Sequence, residues 1–138
     1  MTEPASLNPP AGRENVLLVD DERALIELYA EVLAHRYACD LATSAKEAEE
    51  LLRSKKYRVI VSDFSMPGGD GLNLLARVRR NYPETARILI THYLSPEFMS
   101  LLNEAAPYRY LLKPVNIADL FKAVQDAART QQPAAGGG

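Results

Sequence analysis

The stretch "VIVSDFSMPGGDG" (residues 59–71) decides the fold of this chain. An apolar, β-branched run ends abruptly on Asp63, and Met66-Pro67 then lead into two adjacent glycines and Asp70-Gly71. Such a run is typical of a strand that is buried on both faces of a parallel sheet. A carboxylate at the tip of that strand is either an ordinary helix cap or part of a reactive site. The surrounding sequence distinguishes the two.

The same pattern repeats on both sides of this stretch, because short apolar runs alternate with segments of helical spacing. The runs predict five strands, at residues 15–20, 37–43, 57–63, 86–91 and 108–112. Each strand is followed by a segment whose apolar residues recur at helical spacing, which predicts five helices. Strict alternation indicates an α/β fold, a doubly wound five-stranded parallel sheet with helices on both faces.

Cap signals place the starts of three predicted helices. The sequence Ser44-Ala45-Lys46-Glu47 has the form of a capping box. Ser95-Pro96 reads as an N-cap followed by proline at the first position of a helix that extends to about residue 105, and Asn116 caps the last helix. In the first helix, residues 22–35, the spacing puts five apolar residues on one side, which we take as the inward side: Leu25, Leu28, Tyr29, Val32 and Leu33.

Length and composition restrict the class of protein. The 138 residues, 47% hydrophobic and 25% charged, suit one globular domain. A formal net charge of −2 gives no support to direct nucleic-acid binding, which usually needs a basic face. No apolar run approaches about 18 residues and the N-terminus lacks an apolar signal core, so we expect a cytoplasmic domain without a membrane span. Residues 1–14 read as a disordered leader and 131–138 as a flexible tail or linker remnant, which leaves a domain at 15–130.

Polar and charged side chains stand at the carboxyl ends of four predicted strands. They are Asp20 and Asp21 after the first strand, Asp63 on the third, Thr91 on the fourth and Lys113 after the fifth. In open α/β sheets ligands bind beyond this edge. Three carboxylates repel one another unless a cation shares the site. Oxygen ligands without a His or Cys cluster suit a hard cation, and Mg²⁺ is the usual choice beside phosphate.

A metal ion, a lysine and a hydroxyl together make a pocket for phosphoryl oxygens. A carboxylate among them can act as a nucleophile and form an aspartyl phosphate. Asp63 is the best candidate because it stands alone on the central strand, whereas Asp20 and Asp21 form a pair suited to holding metal. Each residue by itself also has an ordinary role, such as an N-cap for an aspartate. Only their conjunction on four strands favours a site.

These residues resemble the receiver domain of bacterial two-component response regulators over roughly residues 15–130. The resemblance rests on "VLLVDDE", "VIVSDFSMPGGDG", "ILIT" and "YLLKP", in that order along the chain. It implies a flavodoxin-like sheet in the order 2-1-3-4-5. It also implies that Asp63 accepts a phosphoryl group from a phosphohistidine on a sensor histidine kinase or a phosphotransfer protein. The chain is then a phosphoacceptor signalling domain that acts only on itself, and not an enzyme with an external substrate.

By the same resemblance, the acidic residues form a metal site. Asp21 and Asp63 ligate Mg²⁺, or Mn²⁺ in its place, together with the backbone carbonyl of Ser65. Asp20 acts on the ion through water.

The resemblance also implies a switch. Thr91 and Lys113 bind phosphoryl oxygens, and Tyr110 changes rotamer as the threonine moves. The Lys113–Pro114 bond is often cis in such domains. The output surface comprises the fourth helix, the fifth strand and the fifth helix, and it addresses an unknown downstream protein or an output domain in a longer chain. The sequence leaves open whether phosphorylation also drives dimerisation.

His92 departs from the family pattern, because the residue after the switch threonine is usually small. A bulky imidazole there should narrow the mouth of the pocket, slow the access of water or of a phosphatase, and lengthen the phosphorylated lifetime. The alternative is that His92 points to solvent and has no effect.

Two other functions compete with the receiver. A Mg²⁺-dependent phosphohydrolase with an aspartyl nucleophile typically carries a second acid two residues beyond it, and here that position is Ser65. A degenerate receiver would bind partners without phosphorylation. The chain retains all five residues of the expected site, which argues against a degenerate receiver: Asp20, Asp21, Asp63, Thr91 and Lys113.

Overall fold

Five parallel strands form one sheet in the structure, a computed structural model that describes residues 13–66, 71–92, 100 and 105–130. The strands are β1 (Asn15–Val19), β2 (Ala38–Ala42), β3 (Val59–Asp63), β4 (Ala86–Thr91) and β5 (Arg109–Leu112). Their order across the sheet is β2-β1-β3-β4-β5. The helices described over their full length are α1 (Arg23–Leu33), α2 (Ala45–Ser54), α3 (Gly71–Asn81) and α4 (Ile117–Thr130).

The strand order and the alternation of strands with helices confirm the predicted doubly wound fold. The helix predicted at residues 95–105 lies outside the described residues except for Ser100 and Ala105, which are both helical. The label α4 therefore belongs to the fifth predicted helix. The cap predicted at Ser95, residues 1–12 of the leader and the tail also lie outside. Within the described ranges, no helix combines the length and hydropathy that a bilayer span requires.

The strands alternate their side chains between two apolar layers, because successive residues of a strand point to opposite faces. In β1, Val16 and Leu18 face α1 and α4, whereas Leu17 and Val19 face α2 and α3. β3 and β4 follow the same rule. Since both faces of the central strands are covered, these strands read in the sequence as continuous apolar runs.

The helix caps predicted at Ser44 and Asn116 are confirmed. Ser44 Oγ accepts the backbone N–H of Glu47 at 3.1 Å, and Asn116 Oδ1 accepts that of Asp119 at 3.1 Å. The capping box at α2 is shifted by one residue, because Glu47 Oε1 accepts from the backbone N–H of Thr43 at 2.6 Å. Each cap satisfies N–H groups that a helix leaves unpaired at its start.

The inward face of α1 differs from the prediction at Leu28. Ile26, Tyr29 and Leu33 are buried, whereas 47% of Leu28 is exposed. Ile26 fills the inward position because the packing direction of a helix depends on the sheet beneath it as well as on its own spacing. Leu28 faces the open side of the helix, where it lines a cavity described below.

Replacement of Leu33 and of Leu28 by alanine tests this assignment within one helix. Leu33→Ala should lower the free energy of unfolding by about 2–5 kcal/mol, because it leaves a hole in a filled layer. Leu28→Ala, the matched control, should change it by less than about 1 kcal/mol. Urea denaturation followed by circular dichroism measures both. Equal losses in the two variants would contradict the assignment.

Candidate functional site

The register of β1 and β3 brings two aspartates side by side. Val19 pairs with Ser62, so Asp20 follows next to Asp63 at the carboxyl edge of the sheet. The backbone N–H of Asp20 donates to Ala42 of β2 at 3.1 Å, which continues the sheet ladder beyond the strand. Both aspartates therefore stand on a backbone that neighbouring strands hold on either side.

The same alignment brings Thr91 and Lys113 to this edge from the other side. Thr91 pairs with Leu112, and the backbone N–H of Lys113 donates to the carbonyl of Thr91 at 2.8 Å. The Lys113–Pro114 peptide bond is cis, as the resemblance implied. Thr91 is buried, with 4% of its surface exposed, and half-buried Lys113 reaches across to the carboxylates.

Three carboxylates meet at this edge. Asp20, Asp21 and Asp63 each place an oxygen within 4.8 Å of the others. Asp20 and Asp63 are buried, at 1% and 4% exposure, whereas Asp21 is exposed. The N-cap of α1 is Glu22, so neither Asp20 nor Asp21 takes the ordinary role of an N-cap residue. The convergence that the sequence predicted is therefore observed.

Lys113 supplies the positive charge of the cluster. Its Nζ lies 2.8 Å from Asp63 Oδ1 and 3.5 Å from Asp20 Oδ2. Burial favours the neutral amine, but the two carboxylates oppose this effect and raise the pKa of Lys113 above its ordinary value. The ammonium therefore stays charged at neutral pH.

Asp20 shows the electrostatic cost of the arrangement. Burial, and to a lesser extent the charge of Asp63, raise the pKa of Asp20 from 3.8 to about 6. The backbone N–H of Glu22, which donates to Asp20 Oδ1 at 2.9 Å, and the charge of Lys113 act in the opposite direction. Desolvation exceeds both, so this carboxylate is a poor anion until a further positive charge joins it.

Two buried oxygens indicate where that charge fits. Asp20 Oδ2 and Asp63 Oδ1 accept no hydrogen bond of good geometry from the part of the chain that the structure describes. Lys113 contacts them as a charge, at ion-pair distance. A buried carboxylate oxygen without a donor costs free energy unless a cation takes the donor's place. With Asp21 beside them, these oxygens fit a hard divalent cation.

Gly71 is a site residue that the sequence analysis did not identify. A Cβ at this position would lie 1.8 Å from the carbonyl oxygen of Asp63 and 2.8 Å from Ser62 Oγ. The N–H of Gly71 donates to the carbonyl of Phe64 at 2.7 Å, so α3 begins in direct contact with the end of β3. Only glycine permits this approach. The one signal in the sequence that could have identified Gly71 was its place in the loop after Asp63. Its neighbour Asp70 lies outside the described residues.

A cavity of about 720 Å³ opens beside the carboxylates. Asp21, Asp63 and Lys113 form its polar wall, and Ser65 and His92 also line it. Its apolar lining includes Leu25 and Leu28 of α1, Val115 in the connection between β5 and α4, and Ile117 at the start of α4.

Tyr110 lies away from the carboxylates, on the edge strand β5. It pairs with Leu89 of β4, and 39% of its surface is exposed. Tyr108 and Leu112 share its face of the strand at 45% and 51% exposure. We call these three side chains the β5 face.

The fold and the site define a class of protein, a flavodoxin-like α/β domain whose carboxyl edge combines an acidic cluster with a lysine and a threonine. The family model described as "Response regulator receiver domain" matches residues 16–125. The chain belongs to this family.

Curated relatives agree with the family match. The chain is 36% identical over 117 residues to the hydrogenase transcriptional regulatory protein HoxA of Cupriavidus necator, covering 84% of this chain and 24% of HoxA. It is 36% identical over 119 residues to the transcriptional regulatory protein PmrA of Pectobacterium parmentieri, covering 85% of this chain and 53% of PmrA. The chain thus spans between a quarter and a half of these relatives.

Solved structures agree on the fold. The signal receiver domain of an HD domain-containing protein from Pseudomonas fluorescens Pf-5 superposes with a TM-score of 0.80 at 33% identity, covering 86% of this chain and 89% of that one. A CheY-like receiver domain protein from Methanospirillum hungatei superposes with a TM-score of 0.81 at 25% identity, covering 86% and 96%.

Replacement of Asp20 by asparagine tests how much the buried Asp20 charge lowers the stability of the fold. Between pH 3.8 and about 6 the folded wild type binds more protons than the unfolded chain, so its stability falls as the pH rises through this range. In EDTA, Asp20→Asn should be more stable than wild type at pH 7 by about 1–3 kcal/mol, and the difference should shrink towards pH 4. Urea denaturation at a series of pH values measures it.

Asp119→Asn is the control, because Asp119 is exposed on α4 and lies outside the acidic cluster, so the pH-dependent gain expected of Asp20→Asn should be absent. A gain in Asp20→Asn that does not change with pH would show that burial of the Asp20 charge is not its cause.

Proposed function

We propose that this receiver domain is a phosphorylation-controlled binding module in which Asp63 accepts a phosphoryl group from a phosphohistidine. The donor is a sensor histidine kinase or a phosphotransfer protein. One observation carries the proposal: a buried carboxylate on the central strand stands 2.8 Å from the ammonium of Lys113, among two further carboxylates, in the wall of an open cavity. A carboxylate held in this way is an oriented nucleophile beside a positive charge.

The residues of the chain divide the transfer between them. A carboxylate oxygen of Asp63 attacks phosphorus, a P–O bond forms, and the P–N bond of the donor breaks with its electron pair left on the imidazole nitrogen. A carboxylate nucleophile needs no base to remove a proton from it. Lys113 and the Thr91 hydroxyl stabilise the negative charge on the phosphoryl oxygens.

The acidic cluster would hold Mg²⁺, or Mn²⁺ in its place, through Asp21, Asp63 and the backbone carbonyl of Ser65, with Asp20 acting through water. Three carboxylates against one ammonium leave an excess of negative charge, and two buried oxygens accept no hydrogen bond of good geometry from the described residues. When bound, the ion neutralises the carboxylates and the phosphoryl oxygens, so that the two anions can approach each other.

The cavity supports a protein as the donor. Its apolar lining, which includes Leu25, Leu28 and Ile117, belongs to the same cavity as the polar wall that contains Asp63. An apolar surface of the donor can bury this lining while its phosphohistidine reaches the carboxylate. Sensor kinases draw the phosphoryl group from ATP, so we place the exchange in the cytoplasm.

The output follows from a population shift. Thr91 moves towards a phosphoryl oxygen, Tyr110 changes rotamer, and the β5 face with the neighbouring helices takes its partner-binding form. Its exposed side chains, Tyr108, Tyr110 and Leu112, support a role in binding. The partner is a downstream protein, a second copy of the chain, or an output domain. HoxA and PmrA are much longer than this chain, and both are named as transcriptional regulatory proteins. Their names favour an output that controls transcription.

The Asp63→Asn variant tests the proposal. With Mg²⁺ and acetyl phosphate, wild type should gain one phosphoryl group, measured by intact mass, and with beryllofluoride it should show one bound species by ¹⁹F NMR. Asp63→Asn should show neither, because the amide is not a nucleophile. Asp119→Asn, at an exposed aspartate on α4, is the control and should behave as wild type.

Each alternative function predicts a different result in this experiment. Release of phosphate from esters at many turnovers would identify a phosphohydrolase. A wild-type chain that forms no adduct would identify a degenerate receiver.

We also propose that His92 lengthens the phosphorylated lifetime. Its exposed side chain lines the cavity that contains Asp63 and Lys113, and an imidazole there would obstruct an attacking water molecule. His92→Ala should lose the phosphoryl group about three to ten times faster than wild type, a change in barrier of about 1 kcal/mol.

The other histidine supplies the matched control. His35 is exposed just beyond the end of α1, so His35→Ala should keep the wild-type rate. Autodephosphorylation is followed by mass after removal of acetyl phosphate. An unchanged or slower rate in His92→Ala would refute the proposal.

A further inference from the structure

The guanidinium of Arg87, at the start of β4, binds backbone carbonyls. Nε donates to Ala105 at 2.8 Å, Nη1 to Thr85 at 3.0 Å and Nη2 to Ala106 at 3.1 Å. The carbonyl of Arg87 accepts the N–H of Tyr108 at 2.6 Å. The side chain is half-buried. Its three bonds join Thr85, just before β4, to Ala105 and Ala106, where the chain returns towards β5.

These bonds hold the point at which the chain returns to the sheet between β4 and β5. Ala105 is fully buried and is the last helical residue before β5. Ala106 has a φ of 42°, in the left-handed region that disfavours alanine. A guanidinium is a strong, planar donor for the carbonyls that a helix leaves unpaired at its end. Arg87 therefore clamps a turn that contains a strained alanine, beside the packing of Ala105 in the apolar layer.

The clamp joins the two ends of one connection to the same strand. The connection leaves β4 after Thr91, where the phosphoryl group is proposed to act, and returns at Ala105 and Ala106. Its near end is continuous with β4, and its far end is tied to β4 by Arg87. Because Arg87 and Thr91 stand on the same strand, the bonds of Arg87 fix the start of β5 relative to the strand that carries Thr91.

We propose that Arg87 is a positioning residue that couples the phosphorylation site to the β5 face. This inference rests on the proposed phosphorylation at Asp63. The guanidinium of Arg87 bonds to main-chain carbonyls outside the acidic cluster and the β5 face. It acts by keeping the return of the chain fixed against β4, so that displacement of Thr91 reaches Tyr108 and Tyr110.

Arg58 provides a matched control in the same molecule. Arg58 stands just before β3, much as Arg87 stands at the start of β4, and it is also half-buried. Its Nε donates to the carbonyl of Ala128, near the end of α4, at 2.7 Å. Its loss removes the same kind of bond from a helix end. That helix end is not part of the connection that begins at Thr91, so Arg58 should affect stability without affecting the coupling.

Hydrogen exchange with and without Mg²⁺ and beryllofluoride tests the proposal on the full chain. In wild type, beryllofluoride should change the exchange rate of amides in residues 109–112 by about fivefold or more. In Arg87→Met, residues 105–108 should exchange faster in both conditions, and the beryllofluoride-dependent change at 109–112 should fall below about twofold. Binding at Asp63, seen by ¹⁹F NMR, should persist. Arg58→Met should keep the wild-type change.

Arg87→Lys is the second variant, because one ammonium cannot span three carbonyls but keeps the stem and the charge. It should show an intermediate loss, and it decides the question if Arg87→Met does not fold. A full beryllofluoride response at 109–112 in either variant, despite faster exchange at 105–108, would show a purely structural role and overturn the proposal. A wild type that binds beryllofluoride without any change at 109–112 would also overturn it, while the proposed function stands. Failure of wild type to bind at all would instead contradict the proposed function.

Discussion

Repulsion among three carboxylates at the edge of a buried sheet is the constraint on which the rest of the structure depends. Asp20 and Asp63 are almost fully buried, and burial raises the pKa of Asp20 from 3.8 to about 6, a cost of roughly 3 kcal/mol at neutral pH. One fully buried leucine or isoleucine contributes about 1.5–3 kcal/mol. The two apolar layers contain many such side chains, so the sheet can hold the carboxylates together and remain folded.

The excess charge that weakens the fold also defines the proposed chemistry. A cation that joined the cluster would remove the repulsion, and a phosphoryl group would then meet a nucleophile and an ammonium that are already in place. Both groups stand at the end of a strand that its neighbours hydrogen-bond, whereas the Thr91 hydroxyl is proposed to move towards the phosphoryl group. Gly71 adds to this rigidity by letting α3 contact the carbonyl of Asp63 directly.

β4 connects the proposed reaction with the proposed output. It lies between β3, which carries Asp63, and β5, which carries Tyr110. Its carboxyl end presents Thr91 to the site, and its amino end presents Arg87 to the chain as it returns towards β5. A single strand therefore carries both the threonine of the proposed site and the arginine that holds the return of the chain.

The sequence by itself determined the architecture and the composition of the site. Continuous apolar runs identified strands covered on both faces, Ser44 and Asn116 marked helix starts, and parallel order predicted that Asp20, Asp21, Asp63, Thr91 and Lys113 would share one edge. These features depend on local spacing, which a sequence displays directly. Only the tertiary structure decided that Leu28 is exposed, that Glu47 accepts the N–H of Thr43, and that Gly71 touches the carbonyl of Asp63. It also decided that two carboxylate oxygens accept no hydrogen bond of good geometry from the described residues, and that Arg87 binds the carbonyls of Ala105 and Ala106. Each of these depends on atomic distances set by how helices and strands pack, and no periodicity in the sequence records them.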